Sequence, residues 1–161
     1  MPAIEARNVN IGSDEFTLTG VYCRVLPAGE HTSAAELSQR IGFAECGAVV
    51  SFEGIVRHTE AQKSLEAIDY HFHPVMAGLE LARICHSALR RFDVVQIACE
   101  HCTGRVPVQV ASVALAIGSR HRADAFAACQ YILDELKRVV PIWKTPIYAV
   151  QGDFSDKGLA T

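Results

Sequence analysis

The order of apolar and polar positions along the chain predicts six strands. A near-continuous apolar run over residues 47–57 is typical of a buried strand, and β-forming residues fill residues 16–26. The polar segment 58–64 is predicted to be a loop. The remaining predicted strands cover residues 65–73, 94–101, 110–119 and, as a short last strand, 147–150.

Apolar residues at steps of three and four, with start and stop residues around them, predict three helices. A capping-box pattern begins a short helix over residues 33–41, and a proline suits the first turn of a helix over residues 74–92. The last helix opens at His121 or Arg122 and ends before Pro141. The stripes predicted to face the core are Val75, Leu79, Ala82, His86 and Leu89 in the second helix and Phe126, Cys129, Leu133, Leu136 and Val140 in the third.

Hairpin-like neighbouring strands mixed with helices place the chain in the α+β class. The order strand, helix, strand, strand, helix, strand, strand, helix, strand does not fit a doubly wound parallel sheet. We therefore expect a mixed or antiparallel sheet with three main helices. Residues 1–13 are weakly patterned and are predicted to be a disordered N-terminal tail, and residues 14–161 are predicted to form a single domain.

The composition is that of an ordinary globular protein with a slight excess of acid. Half of the 161 residues are apolar, 20% are charged, and the formal net charge is −3. This charge argues against binding nucleic acid through a generally basic surface, and no apolar run approaches the roughly 20 residues of a membrane span. Six cysteines in largely apolar or helical stretches, without a basic-then-apolar leader, predict a cytoplasmic protein with reduced thiols.

Five basic or titratable side chains stand at the predicted ends of elements, where ligand contacts are common. Lys137 lies about 60° from the centre of the apolar stripe in the last helix, so its ammonium either snorkels to water or faces a cleft. Lys144 follows bulky apolar residues and either belongs to a fixed wall or is solvated. His121 and Arg122 begin a helix where free N–H groups favour anions, or they form an exposed turn. The fifth, Arg57, closes an apolar strand.

A C-x-x-C pattern at Cys99 and Cys102 offers a different kind of chemistry. Zinc would need a second pair of ligands at suitable spacing, and Cys129 and His121 form no such pair. A redox motif prefers a helix N-terminus, whereas this pattern ends a strand. Structural thiols are the preferred interpretation, and neither a metal nor another cofactor is expected.

Three segments in combination resemble the large catalytic subunit of molybdopterin synthase. They are the strand G-A-V-V-S-F-E-G-I-V-R that ends at Arg57, the segment S-R-H-R-A-D-A-F at residues 119–126, and L-K followed by P-I-W-K within residues 136–144. Their order and spacing agree with the family over residues 20–152. This combination is more specific than any one of the segments.

The resemblance implies an α/β-hammerhead-like fold and a sulfurtransferase of molybdenum cofactor biosynthesis. Enzymes of this family move sulfur from the thiocarboxylated C-terminal glycine of a small ubiquitin-like carrier subunit to cyclic pyranopterin monophosphate, which forms the molybdopterin dithiolene. They assemble as a heterotetramer, a central homodimer with one carrier subunit at each end. No metal takes part in the sulfur transfer itself.

The resemblance also implies roles for individual residues. Lys137 is predicted to be the leading catalytic residue and Lys144 the second. His121 and Arg122 are candidates for completing the site of the second copy in the homodimer. Substrate contacts are predicted for Ile55, Val56, Arg57, His121, Arg122, Lys137, Lys144, Thr145 and Pro146.

Departures from the family pattern leave two alternatives open. Thr145 and Pro146 replace a basic residue and a glutamate that the family commonly has, and His101-Cys102 stands where a His-Arg pair is usual. One alternative is a catalytically impaired relative that still binds the carrier. The other is a metal- or redox-responsive binding module built on Cys99 and Cys102.

Overall fold

Groups of one to three consecutive strands alternate with helices along the part of the chain that the computed structural model describes, residues 15–18 and 20–149. The predicted α+β class with three main helices is confirmed. The predicted tail, residues 1–13, lies outside the described residues. In chain order the elements are β1 (Glu15–Leu18), β2 (Val21–Leu26), α1 (Ala34–Gln39), β3 (Ala48–Ile55), β4 (Thr59–Glu60), β5 (Lys63–Phe72), α2 (Pro74–Arg91), β6 (Val94–Cys102), β7 (Gly104–Pro107), β8 (Ala111–Ser119), α3 (Arg122–Val139) and β9 (Ile142–Tyr148).

The larger sheet has five strands in the order β1-β2-β6-β8-β3. β2 and β6 run parallel, and the other neighbouring pairs are antiparallel, so the sheet is mixed as predicted. The central strands β6 and β8 are buried along most of their length because helices cover both faces of the sheet. None of the described helices is long and apolar enough to cross a membrane.

Small side chains allow α2 and α3 to pack closely on one face of this sheet. Ala77 and Ala88 of α2 and Ala125 and Ala128 of α3 are fully buried there. Close packing of this kind raises the number of dispersion contacts that each residue makes. On the opposite face, α1 covers the sheet with Leu37.

A smaller sheet forms around β5, which pairs antiparallel with β4, β7 and β9. Its apolar side chains meet the ends of β2 and β6 in a separate buried cluster. The members of that cluster are Leu26, Val56, Leu65, Ile68, Cys102 and Val106.

Two hairpins correct the predicted strand pattern. Residues 16–26 form β1 and β2 around Gly20, whose φ of 81° suits glycine, and not one continuous strand. The predicted loop 58–64 contains β4 and the start of β5, joined by Ala61 and Gln62 with φ of 49° and 64°. Backbone pairing around tight turns builds both hairpins, and an apolar pattern does not reveal it.

The strands that join β5 also differ from the prediction. β7 was not predicted, and the short last strand expected at 147–150 is β9, which begins at Ile142 and ends at Tyr148. Val150 lies outside the described residues. Both strands are fixed by antiparallel pairing with β5, a contact between segments far apart in sequence.

The helix bounds agree with the prediction to within two residues, but parts of the buried stripes do not. Cys129 and Leu136 are buried as predicted, whereas Val75, Leu79 and Phe126 are 67%, 51% and 63% exposed. Smaller residues occupy the buried faces because they permit a closer approach to the sheet. Three large apolar side chains therefore remain on the surface.

Candidate active site

A cavity of about 460 Å³ lies where the last turns of α3 meet β5, β9 and the ends of β3, β6 and β8. Its size falls in the range of roughly 300–1,000 Å³ that is typical of small-molecule sites. Apolar side chains form most of its wall, and two lysines contribute the cations. The lining residues are Phe52, Gly54, Ile55, Tyr70, His101, Ser112, Val113, Leu133, Leu136, Lys137, Ile142 and Lys144.

The alternation of side chains along β9 turns Lys144 toward this cavity. Ile142 and Lys144 lie on one face of the strand, and Trp143 between them is 59% exposed on the other. Trp143 therefore neither plugs the core nor walls the site. Lys144 stands opposite Tyr70 in the β5–β9 register, and its Nζ donates to a Glu60 carboxylate oxygen at 2.7 Å.

Lys137 enters the same cavity from the last turn of α3. The preceding residue, Leu136, is buried, and Leu133 one turn earlier also lines the cavity, so Lys137 sits at the edge of the apolar stripe. Its side chain is exposed at the mouth of the cavity. Within the described residues its ammonium has no hydrogen-bond or ion-pair partner. Both lysines predicted to be catalytic therefore reach one cavity, and only Lys144 is held by a carboxylate.

Polar side chains from three strands form the inner wall of the cavity. The Tyr70 hydroxyl bonds to Ser112 Oγ at 3.1 Å, and Ser112 Oγ donates to the Gly54 carbonyl at 3.1 Å. The Tyr70 ring meets the His101 ring edge-on, with centroids 5.3 Å apart. Burial lowers the pKa of His101 to about 4, so its imidazole is neutral at physiological pH.

His121 and Arg122 line a second cavity of about 490 Å³ at the first turn of α3. Neighbouring Arg120 is held by Asp93 at 2.7 Å and by Glu45 at 3.4 Å. Arg122 has no such ion pair within the described residues and is exposed. This cavity therefore offers a free guanidinium and a helix N-terminus, which together favour an anion.

The two cavities are far apart within one chain. Lys137 and Arg122 belong to the same helix and are fifteen residues apart, which is about 22 Å along its axis. A single phosphate cannot contact both side chains. The structure therefore brings Ile55, Lys137 and Lys144 together, and it separates His121 and Arg122 from them.

The other predicted contact residues lie beside the cavity but do not line it. Val56 is buried among apolar side chains, and its backbone N–H and C=O bond to Val110 and Gln109. Arg57 is exposed just beyond β3, two residues after Ile55. Thr145 and Pro146 follow Lys144 on β9, opposite Asp69 and Ile68 of β5.

The thiols of the C-x-x-C pattern belong to different parts of the core. Cys99 packs beneath α2, where hydrogen bonds with Cys23 and Cys99, and then burial, raise the pKa of Cys85 well above its usual range. Cys102 packs in the other apolar cluster, and burial raises its pKa to about 11. A spacing of three along a strand puts the two side chains on opposite faces. Among the described residues, no group of three or more His, Cys, Asp or Glu side chains is arranged to hold a metal ion.

Sequence reasoning missed four polar residues around the lysine cavity: Glu60, Tyr70, His101 and Ser112. All four lie on strands, and they meet around the cavity through the pairing of β5 with β9 and of β6 with β8 and through the Glu60–Lys144 and Tyr70–Ser112 hydrogen bonds. The sequence signal for His101 was its place in a departure from the family pattern. No local motif marks the other three.

Two solved structures with a similar fold belong to the same class of protein. The X-ray crystal structure of molybdopterin synthase from Staphylococcus aureus matches with a TM-score of 0.71 and 26% identity, covering 79% of this chain and 91% of that chain. A structure from Helicobacter pylori, a protein–protein complex of subunits 1 and 2 of molybdopterin-converting factor, shares the fold at 20% identity with a TM-score of 0.62, covering 81% of this chain and 91% of that chain. The fold is thus that of molybdopterin synthase subunits.

Residues 28–139 match the family described as MoaE protein, and this chain belongs to that family. The molybdopterin synthase catalytic subunit of Arabidopsis thaliana is 35% identical over 124 residues. That match covers 77% of this chain and 63% of the Arabidopsis protein, so the chain spans less than two thirds of that relative's length.

Proposed function

We propose that this protein is a catalytic subunit of molybdopterin synthase. It takes sulfur from the thiocarboxylated C-terminus of a small carrier subunit and places it on cyclic pyranopterin monophosphate, forming the molybdopterin dithiolene. The observation that carries this proposal is the meeting of Lys137 and Lys144 at one cavity in a chain of the MoaE family.

The chemistry of sulfur transfer suits a cavity with two cations. The carrier's thiocarboxylate sulfur displaces an oxygen substituent from a carbon of the substrate, and water then hydrolyses the acyl–sulfur bond, which leaves sulfur on the pterin and a carboxylate on the carrier. A second transfer from a second carrier supplies the other sulfur of the dithiolene. The Lys137 ammonium, which has no partner among the described residues, stabilises the oxyanion that forms at the acyl carbon and exchanges protons with it. Lys144 provides a second positive charge, and Ile55 and Ile142 contribute apolar surface to the wall of the cavity.

The second cavity supports an assembly that contains two copies of this chain. We assign His121 and Arg122 to the phosphate of a substrate bound at the lysine cavity of the other copy, because about 22 Å separates the two cavities in one chain. Arg57, exposed beside Ile55, is assigned to the same anionic substrate. Phe126, a large exposed apolar residue next to Arg122, is suited to a contact between copies. With one carrier subunit on each copy, the assembly is a heterotetramer in the cytoplasm.

A reconstituted reaction tests the proposal. The purified protein is mixed with a thiocarboxylated carrier subunit and cyclic pyranopterin monophosphate, and molybdopterin is measured. We expect product only when all three components are present and no added metal is needed. Carrier binding without any product would identify the impaired relative instead.

A further inference from the structure

One buried imidazole in the wall of the lysine cavity has a nitrogen that no described residue hydrogen-bonds. His101 is only 5% exposed, and its Nδ1 lies 2.7 Å from the Cys102 carbonyl oxygen. A carbonyl oxygen accepts, so Nδ1 carries the proton and donates. Nε2 of the neutral ring is then unprotonated and is an acceptor.

The surroundings of His101 leave its Nε2 accessible from the cavity. Within the described residues Nε2 has no hydrogen-bond partner, and no fully buried side-chain nitrogen or oxygen is left without one. Nε2 must therefore have an accessible surface, and the cavity is the space that the ring lines. The edge-on contact with Tyr70 and the bond to Cys102 hold the ring in this orientation.

The other polar side chains of the cavity mainly supply donors. The ammonium groups of Lys137 and Lys144 have no acceptor atoms. The Ser112 hydroxyl donates to the Gly54 carbonyl and, in that arrangement, accepts the Tyr70 proton. In this cavity the lysines can bind the anionic part of a substrate, and His101 Nε2 can accept a hydrogen bond from a substrate N–H group.

We propose that His101 is a substrate-recognition residue whose Nε2 accepts a hydrogen bond from an N–H group of the pterin ring. This inference rests on the proposed function, because it takes the cavity to be the pterin site. In this arrangement the pterin ring lies against the inner wall of the cavity, and the phosphate lies at the mouth, near the lysines. Burial keeps the acceptor available, since it disfavours protonation of the imidazole.

Two variants at this position separate recognition from packing. His101→Phe keeps an aromatic ring without an acceptor, and His101→Gln keeps an amide oxygen at similar reach. His86→Gln, on α2 and outside the cavity, is the matched control. Binding of cyclic pyranopterin monophosphate is measured directly, inorganic phosphate serves as a competitor, and the melting temperature of each variant is recorded.

We expect His101→Phe to weaken pterin binding about ten- to a hundredfold, because a substrate N–H is left unpaired in a desolvated site. The inhibition constant of inorganic phosphate should stay within about twofold, and His101→Gln should recover most of the pterin affinity. If His101→Phe does not fold, His101→Leu replaces it in the comparison.

Several outcomes overturn the inference. Wild-type pterin affinity in the folded His101→Phe variant would do so, as would an equal loss of phosphate affinity, which would indicate general damage to the cavity. A wild-type protein that makes no molybdopterin with a thiocarboxylated carrier would instead remove the proposed function on which the inference rests. The wild-type activity measurement therefore tells the two failures apart.

Discussion

At the scale of single residues, the two lysines of the cavity differ in what surrounds them. Lys144 is held by Glu60, whereas Lys137 has no partner within the described residues. A carboxylate beside one cation lowers the positive potential that an anionic substrate meets. Glu60 should therefore compete with the substrate for Lys144.

Glu60→Gln tests this competition. Because an exposed ion pair contributes up to about 1 kcal/mol, we expect the variant to bind cyclic pyranopterin monophosphate about two- to fivefold more tightly. The free energy of unfolding should change by less than about 1 kcal/mol. Titration of the substrate into each protein at low ionic strength measures the effect.

Glu66→Gln is the matched control for this substitution. Its carboxylate pairs with Arg105 and does not line the cavity, so its removal should not change substrate affinity. The gain in Glu60→Gln should shrink at high salt because ions screen the exposed charges. Weaker substrate binding in Glu60→Gln would show that Glu60 positions Lys144 and does not compete.

The buried imidazole of His101 makes stability depend on pH. Its folded pKa of about 4 lies below the ordinary value of 6.5, so the unfolded chain binds more protons between these values. The contribution of His101 to the free energy of unfolding is therefore fully present above about pH 6.5 and falls as the pH drops toward 4. Between pH 7 and pH 5 this group should remove about 2 kcal/mol of the free energy of unfolding.

Urea unfolding of the wild type and of His101→Phe at pH 7 and pH 5 measures this contribution. The variant should lose about 2 kcal/mol less than the wild type over that interval. Burial and then the Arg90 charge also lower the pKa of His86, but His86 is present in both proteins and cancels in the comparison. Identical pH slopes would contradict a buried neutral His101.

The residues of the candidate site differ in how far the sequence could predict them. Local patterns predict both lysines. Lys137 lies at the edge of the apolar stripe of α3, and Lys144 follows the bulky apolar residues after that helix. Glu60 meets Lys144, which is 84 residues away in sequence, and His101 reaches the cavity through the pairing of β6 with β8. Local periodicity carries no information on which strands pair.

At the scale of elements, the segment between β8 and α3 is held by close backbone contact with Gly47. A Cβ at Gly47 would collide with the Arg120 backbone carbonyl, and the Gly47 N–H donates to the Ser119 carbonyl at 2.9 Å. This contact places His121 and Arg122 at the start of α3. The glycine therefore positions the second cavity.

Gly47→Ala should shift this segment and destabilise the protein by about 1–3 kcal/mol, since backbone atoms must move to admit the methyl group. Gly42→Ala is the control, because its Cβ would meet only the flexible Gln96 side chain at 3.3 Å. The control should cost less than about 1 kcal/mol. Equal free energies of unfolding for the two variants, measured in urea, would show that the backbone near Gly47 shifts to admit the methyl group at no cost in stability.

Elements with strong local signals were predicted well, and paired edge strands were not. α2 and α3 agree with the prediction because Pro74 marks the start of α2 and Pro141 follows the end of α3. β7 and β9 depend on hydrogen bonds to β5 and carry little apolar alternation. Phe126 is exposed although it lies on the predicted apolar stripe. A helical period of 3.6 predicts which side of a helix is apolar, but it does not predict that small residues pack closest to the sheet.

At the scale of the whole molecule, one chain carries two cavities at opposite ends of α3, which we propose are two halves of one site. If two copies combine their halves, a chain lacking Lys137 and a chain lacking Arg122 can complement each other. In a hybrid dimer one of the two sites is then intact and the other carries both changes.

Mixing Lys137→Ala with Arg122→Ala under conditions of subunit exchange should restore about a quarter of wild-type molybdopterin synthesis, because half of the dimers are hybrids with one intact site. Each variant alone should have little activity. Verified subunit exchange without recovery would show that each chain uses its own Arg122, or that Arg122 has no part in the site.

The most direct test of the central claim compares two neighbouring residues in the last turn of α3. Lys137 lines the cavity, whereas Arg138 is held by Glu135 on the exposed face of the helix. In the reconstituted reaction, Lys137→Ala should lower the rate of molybdopterin formation by about a hundredfold or more, and Arg138→Ala should leave it within about twofold of the wild type. Full activity in Lys137→Ala would contradict the assignment of this cavity as the site of sulfur transfer.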